Sequence, residues 1–224
     1  MADAPGQSIV LPDGRCDIII RRNRNAPDVL MPVITGPATR AYTVTYDVGD
    51  TWFGLRLRPE SAVALWRGDL EHAVDTVLRG QDAIDLVPAL ATHQYCDLML
   101  DRLAGLALAA PFIDTRLTHA LDILHASGGR IRVAQLARFA ACSPRHLNRL
   151  FRGHTGLGTK TYAQLVQFHR TLNLITRGRV PITDAALEGG YADHAHMTRA
   201  FRRFGGFVPS KLPPRLTLPQ LFAQ

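Results

Sequence analysis

Residues 143–156 read SPRHLNRLFRGHTG, and residues 193–206 read DHAHMTRAFRRFGG. A shift of fifty positions superimposes the two stretches and aligns identical residues at five places. The coincident pairs are His146 with His196, Arg149 with Arg199, Phe151 with Phe201, Arg152 with Arg202, and Gly156 with Gly206. Each copy predicts a short helix, a tight turn, a helix capped by Ser143 or Asp193, and a glycine stop. This is the anatomy of a helix-turn-helix, present twice.

The second helix of each copy has one apolar stripe for a core and an opposite face that suits a DNA groove. That face carries Arg145, His146, Asn148 and Arg149 in the first copy, and His194, His196, Thr198 and Arg199 in the second. Arginine can bond guanine through two hydrogen bonds, and asparagine can bond adenine in the same way. The alternative is a pair of structural helical hairpins with solvated arginines, which the in-register duplication disfavours.

The two halves of the chain differ in charge. Residues 1–110 contain ten arginines and fourteen acidic residues, whereas residues 111–224 contain sixteen basic and five acidic residues. An acidic half joined to a basic half indicates a polyanion-binding module attached to another unit. Lysine occurs only as Lys160 and Lys211. Because the planar guanidinium fork matches phosphate and guanine, this arginine bias favours nucleic acid as the partner.

The composition favours a folded protein in a reducing compartment. Apolar residues make up 46% of the 224 residues, which is sufficient for a packed core. Three cysteines without a CxxC pair disfavour both a disulfide framework and a zinc site. The first residues, MADAPGQS, lack the pattern of a signal peptide, and no apolar run is long enough to span a bilayer. We therefore expect a cytoplasmic protein without a membrane partner.

The N-terminal half changes character along its length. Residues 9–58 are β-rich, with alternating strands predicted at 42–46 and 52–57. From Pro59 onward the pattern favours helix, including segments at 70–80 and 85–109.

The whole chain is expected to be an α+β protein of two domains. Residues 1–110 would form a short β-rich sensor or dimerisation domain. Residues 111–224 would form an all-α DNA-binding domain, in which a linker helix at 162–176 joins the two helix-turn-helix units. Regular 3.6-residue periodicity and glycine or proline stops support the helices of this second domain.

The C-terminal half resembles the AraC-type family of bacterial transcription regulators. The resemblance rests on GGYADHAHMTRAFRRFGGFVP at 189–209, on the companion stretch at 143–156, and on Arg170 in the linker helix. It covers residues 114–213. The resemblance implies that Arg145, Asn148 and Arg149 read bases in the first unit. The equivalent surface of the second unit would consist of His194, Ala195, His196 and Arg199.

The N-terminal half resembles the sensor half of one subgroup of these regulators. The matching segments are LPDGRCDIII at 11–20, Gly36-Pro37, and FGLRLRP at 53–59. Such domains bind a small-molecule effector or mediate dimerisation. Double-stranded DNA is thus the expected partner, while an effector, a second copy of the chain and RNA polymerase remain open as further partners.

The sequence does not favour an enzyme. It contains no nucleophile elbow, phosphate loop or HExxH motif, and we predict no catalytic residue, metal ligand or cofactor. His194 and His196 are two positions apart on a helix, so they face different directions. Two alternatives stay open. The N-terminal domain could bind a small molecule or act as an enzyme with DNA binding secondary, or the chain could contact RNA polymerase without reading bases.

Overall fold

The computed structural model describes residues 4–57, 59–91, 114–178, 180–214 and 216–217. The strands are β1 (Gly6–Val10), β2 (Asp17–Asn23), β3 (Ala26–Thr35), β4 (Tyr42–Tyr46), β5 (Asp50–Arg56), β6 (Val77–Arg79) and β7 (Leu216–Thr217). The N-terminal helices are α1 (Pro59–Leu65), α2 (Gln81–Leu86) and a 3-10 turn (Pro88–Ala91). The C-terminal helices are α3 (Thr115–Ala126), α4 (Val133–Phe139), α5 (Pro144–Thr155), α6 (Thr159–Thr176), α7 (Ile182–Glu188) and α8 (His194–Gly205). A β-rich part thus precedes a helical part, which confirms the α+β prediction.

The strands form two sheets, ordered β5-β2-β3-β6 and β4-β1-β7. In the larger sheet β2 lies between β3 and β5, both antiparallel to it, so Ile20 faces Pro32 on one side and Phe53 on the other. In the smaller sheet β1 pairs antiparallel with β4 and parallel with β7. The smaller sheet therefore combines strands from opposite ends of the chain.

The larger sheet covers a first core on one face. Ile18 and Ile20 are buried at alternate positions of β2, as the two-residue period of a strand requires. Phe53 and Leu55 pack against the same core, and Leu57 is buried in it. The alternating strand predicted at 52–57 corresponds to β5, and its apolar residues Phe53 and Leu55 lie on this core.

Two helix predictions in the N-terminal half were wrong or incomplete. Residues 70–80 contain turns and strand β6, because Val77 and Leu78 pair with the edge of β3 and tertiary pairing overrides local propensity. The helix predicted at 85–109 is interrupted at the start, since α2 ends at Leu86 and Pro88 begins a 3-10 turn. Residues 92–113 lie outside the described part of the chain.

The second core surrounds α6, the helix that joins the two units. Phe151, Phe168, Phe201 and Phe204 are fully buried in it, and edge-to-face contacts link Phe168 to Phe201 at 5.0 Å between ring centroids. Such aromatic pairs stabilise a core beyond the burial of their area. One helix thereby holds both helix-turn-helix units in a single packed body.

The loop between β1 and β2 reaches into this helical core. Leu11 is buried among its apolar side chains, and the Pro12 carbonyl accepts a hydrogen bond from His169 Nε2 at 2.5 Å. Gly14 has a φ of +69°, and a Cβ there would lie 3.1 Å from Leu157. The two parts predicted as separate domains are therefore in intimate contact. The predicted division at residue 110 falls outside the described residues and stays a prediction.

Candidate nucleic-acid interface

The two units repeat with slightly different offsets. Helices α5 and α8 each have 12 residues and begin at Pro144 and His194, fifty positions apart. Helices α4 and α7 each have 7 residues and begin at Val133 and Ile182, forty-nine positions apart. The turn of the second unit therefore has one more residue than the turn of the first.

Side-chain caps fix the start of both second helices. Ser143 Oγ accepts a hydrogen bond from the His146 amide at 3.2 Å, and Asp193 Oδ1 accepts one from the His196 amide at 2.6 Å. Such caps satisfy donors that the helix leaves unpaired at its start. Both predicted N-caps are confirmed. Each helix ends at a left-handed glycine, Gly156 or Gly206, with φ of 71° and 76°.

Both turns share one C-terminal capping motif. In the first unit Cys142 N donates to Ala137 O, and Ala141 N donates to Arg138 O. In the second, Tyr191 N donates to Ala186 O and Gly190 N donates to Leu187 O. These are paired bonds of the Schellman type, which place one residue in the left-handed region. That residue is Gly190 in the second unit, but it is Ala141, with a φ of 49°, in the first.

The substitution Ala141→Gly is expected to raise the free energy of unfolding by about 0.5–1 kcal/mol. A left-handed conformation strains an L-residue with a Cβ, and glycine relieves that strain at a small entropic cost. Ala141 is exposed, so no packing is lost. Urea denaturation of the full chain measures the change. The reverse substitution, Gly190→Ala, should destabilise the protein, and a destabilised Ala141→Gly variant would contradict the argument.

The face of α5 that is predicted to contact DNA presents two arginines to solvent. Arg145 and Arg149 are exposed on α5, whereas Leu147 and Phe151 on its other side are buried. Arg149 Nη2 lies 3.0 Å from Nδ1 of the half-buried His146. His146 therefore lies beside Arg149 and is less exposed than the two arginines.

Asn148 occupies a different environment from that expected of a base reader. It is half-buried, and its Oδ1 accepts a hydrogen bond from the Thr159 amide at 3.1 Å. Bidentate recognition of adenine needs the same oxygen as an acceptor. No local pattern predicts this contact, because it joins two helices across a glycine turn.

The second unit presents His194, Ala195 and Arg199 to solvent on α8. His196 is half-buried and packs edge-to-face on Tyr191, with 5.2 Å between ring centroids. Thr198 Oγ1 donates back to the His194 carbonyl at 2.9 Å. His194, Ala195 and Arg199 are therefore accessible to a partner. The predicted residues His196 and Thr198 are half-buried and interact within the unit.

The N-terminal part touches the C-terminal end of α5, the second helix of the first unit. Helix α1 packs against α5, and Glu71 Oε2 binds Arg152 Nη1 at 2.7 Å with both side chains half-exposed. Gly156 packs against the Leu70 carbonyl, where a Cβ would lie 2.7 Å from the oxygen. The first unit is thus in direct contact with the N-terminal part at the C-terminal end of α5, beyond Arg145 and Arg149.

Two residues of α6 outside the predicted set join this helix to neighbouring elements. The buried Gln167 Nε2 donates to the Gly189 carbonyl at 2.9 Å, which ties α6 to the turn of the second unit. Arg170 lies against Gly128, whose φ of +61° ends α3. Helical periodicity alone places Gln167 on the apolar side of α6, and its polarity there was the available signal.

The part of the chain that the structure describes gives two further findings. It contains no group of three or more histidine, cysteine or acidic side chains placed to hold a metal ion. None of its helices is long and apolar enough to cross a membrane.

Burial raises the pKa of the Cys16 thiol well above its ordinary range, so that cysteine is a poor nucleophile.

Comparison with known proteins places the similarity in the helical part. The helix-turn-helix domain model matches residues 136–213. The HTH-type transcriptional regulator GlxA of Rhizobium meliloti is 34% identical over 80 residues, which are 36% of this chain and 25% of that protein. The arabinose operon regulatory protein of Salmonella typhimurium is 25% identical over 125 residues, 54% of this chain and 44% of that protein. The similarity thus spans less than half the length of either relative.

Several solved structures of ToxT from Vibrio cholerae align over nearly the whole chain. In one of them the alignment covers 93% of this chain and 94% of the ToxT chain, at 12% sequence identity and a TM-score of 0.48.

Proposed function

We propose, from the premise that residues 136–213 match a helix-turn-helix domain, that this chain is an AraC-type regulator that controls transcription by binding specific duplex DNA. One observation carries the proposal. Two reading helices of equal length, each with a side-chain N-cap and a glycine C-cap, are held by the same linker helix. Reading helices of this kind enter major grooves, and half-sites one helical turn apart accommodate a linked pair.

The reading surface follows from exposure. Arg145 and Arg149 would contact the first half-site, and His194, Ala195 and Arg199 the second. Arginine can bond O6 and N7 of guanine together, whereas the alanine methyl group can contact a thymine methyl. The capped helix N-termini bring partial positive charge toward the phosphates. The basic balance of residues 111–224 would supply much of the affinity through phosphate contacts.

The N-terminal part is proposed to influence this binding. Its contacts with the helical core through Leu11 and Pro12, and with α5 through Glu71, support a mechanical link between the two parts. A small-molecule effector, a second copy of the chain or RNA polymerase would act through that link.

The substitutions Arg149→Ala and Arg199→Ala are each expected to weaken specific binding by about 1–3 kcal/mol, because a bidentate contact to guanine discriminates by that amount. Fluorescence anisotropy with a site selected from genomic fragments measures the loss. Each variant should also lose preference at one base pair of its own half-site.

The control is Arg22→Ala, which removes an exposed charge of the same kind from β2 in the N-terminal part. It should leave specific binding within about twofold, or 0.4 kcal/mol. A salt titration completes the test, since phosphate contacts make the affinity fall steeply with salt. Weak, salt-insensitive binding without a preferred fragment would rule out the proposed function.

A further inference from the structure

We infer that Asn148 is a positioning residue, which caps the linker helix α6 from the first reading helix and thereby sets the placement of the second reading helix. The inference deepens the proposed function and rests on it for its consequence in DNA binding. It assigns Asn148 a role other than base reading.

The first observation is the hydrogen bond itself. Asn148 lies in the middle of α5, and its Oδ1 accepts from the amide of Thr159, the first residue of α6. The N-cap of α6 is Gly158, which has no side chain that could provide a cap. An amide oxygen on one helix therefore satisfies one of the backbone donors that the next helix leaves unpaired at its start, as an N-cap side chain does for the following donors.

The second observation is the lack of room for another partner. Thr159 is buried, so water is poorly placed to replace the bond to its amide. A buried N–H without a partner is costly, which strengthens the preference for this arrangement. A Cβ at position 158 would lie 3.0 Å from Asn148 Oδ1, tighter than ordinary contact. The glycine at that position allows the approach.

The third observation comes from the second unit, where the equivalent positions cannot form this hydrogen bond. The shift of fifty places Thr198 on Asn148 and Pro209 on Thr159. Proline has no amide hydrogen to donate, and no helix follows it among the described residues up to Thr217. Thr198 instead donates to the carbonyl of His194 in its own helix. The asparagine thus occurs in the unit that has a helix to cap.

The consequence follows from the position of α6. This helix packs against α5, α7 and α8, and its Phe168 is in the same core as Phe201 of the second reading helix. A fixed angle between α5 and α6 therefore fixes the separation and rotation of the two reading helices. For a rigid bivalent binder, affinity depends steeply on the distance between the two sites.

The first measurement uses the full chain without DNA. Hydrogen exchange of the Thr159 amide, followed by NMR, should accelerate about five- to tenfold in Asn148→Ala, the loss expected for one cap. The variant Asn148→Asp keeps an acceptor and should retain the protection. The matched control Thr198→Ala lies at the same place in the second unit and should leave the amide unchanged. Unchanged exchange in Asn148→Ala would overturn the inference.

The second measurement uses DNA with one base pair inserted between the half-sites. The wild type should lose affinity on insertion, and Asn148→Ala should lose at least roughly threefold less, because its second unit is less rigidly placed. Its base preferences within each half-site should stay the same. Loss of preference at a single adenine, with the spacing dependence intact, would show base reading and refute the positioning role. A protein that binds no DNA refutes the proposed function, whereas the exchange result still decides the cap.

Discussion

The substitution Phe168→Ala is expected to lower the free energy of unfolding by about 3–5 kcal/mol, the usual loss for a large aromatic side chain in a packed core. Phe168 is fully buried at the middle of α6. Its ring centroid lies 5.0 Å from that of Phe201 and 5.7 Å from that of Phe204. The cavity would therefore separate the linker helix from the second reading helix. Urea denaturation followed by circular dichroism measures the change.

The matched control is Phe139→Ala, which removes the same ring from the end of α4, where the side chain is 54% exposed. It should change the free energy of unfolding by no more than about 0.5 kcal/mol, as is usual on a surface. Similar losses in the two variants would mean that the core does not converge on Phe168.

Acidification is expected to destabilise the protein through His169. This side chain is buried and donates from Nε2 to the Pro12 carbonyl. Burial lowers the pKa of His169 from its ordinary value of 6.5 to about 4. His169 is thus protonated near pH 6.5 in the unfolded chain but only near pH 4 in the folded chain. Stability present above pH 6.5 is lost as the pH falls toward 4, by about 3 kcal/mol over the full range.

The substitution His169→Gln isolates this contribution. Glutamine keeps an N–H that can donate to the Pro12 carbonyl but does not titrate. Urea curves at pH 7.5 and pH 5 measure how far the free energy of unfolding falls on acidification. This fall should be smaller in the variant than in the wild type by about 2 kcal/mol. Some slope will remain, because burial also lowers the pKa of His125. Identical slopes in the two proteins would show that His169 is accessible to protons in the folded state.

Local signals in the sequence were sufficient to predict helices α5 and α8 and their caps. Ser143 and Asp193 are short acceptors placed before apolar stripes, and glycines follow both stripes, so the caps depend on neighbouring residues only. The linker helix begins three residues before its predicted start at Tyr162, because its first turn is capped from outside. That cap comes from a residue eleven positions earlier, which no helical pattern reveals.

The N-terminal part was harder to predict because its structure depends on distant pairing. The segment Val77–Arg79 became a strand through contact with β3, more than forty positions away. The environment of Asn148 likewise depends on a tertiary contact. Its residue type suits adenine, but its side-chain oxygen accepts a hydrogen bond from another helix. Residue chemistry indicated the candidate surface, and the fold determined which of its members are exposed.

The pairing of Ile9 with Leu216 has a consequence for biosynthesis. The smaller sheet cannot be completed until nearly all of the described chain has left the ribosome. At ordinary rates of translation, that delay is on the order of 10–40 seconds after Ile9 is made. Until the helices have followed, Leu11 has no helical core to enter, so the nascent chain exposes an apolar loop of the kind that chaperones shield.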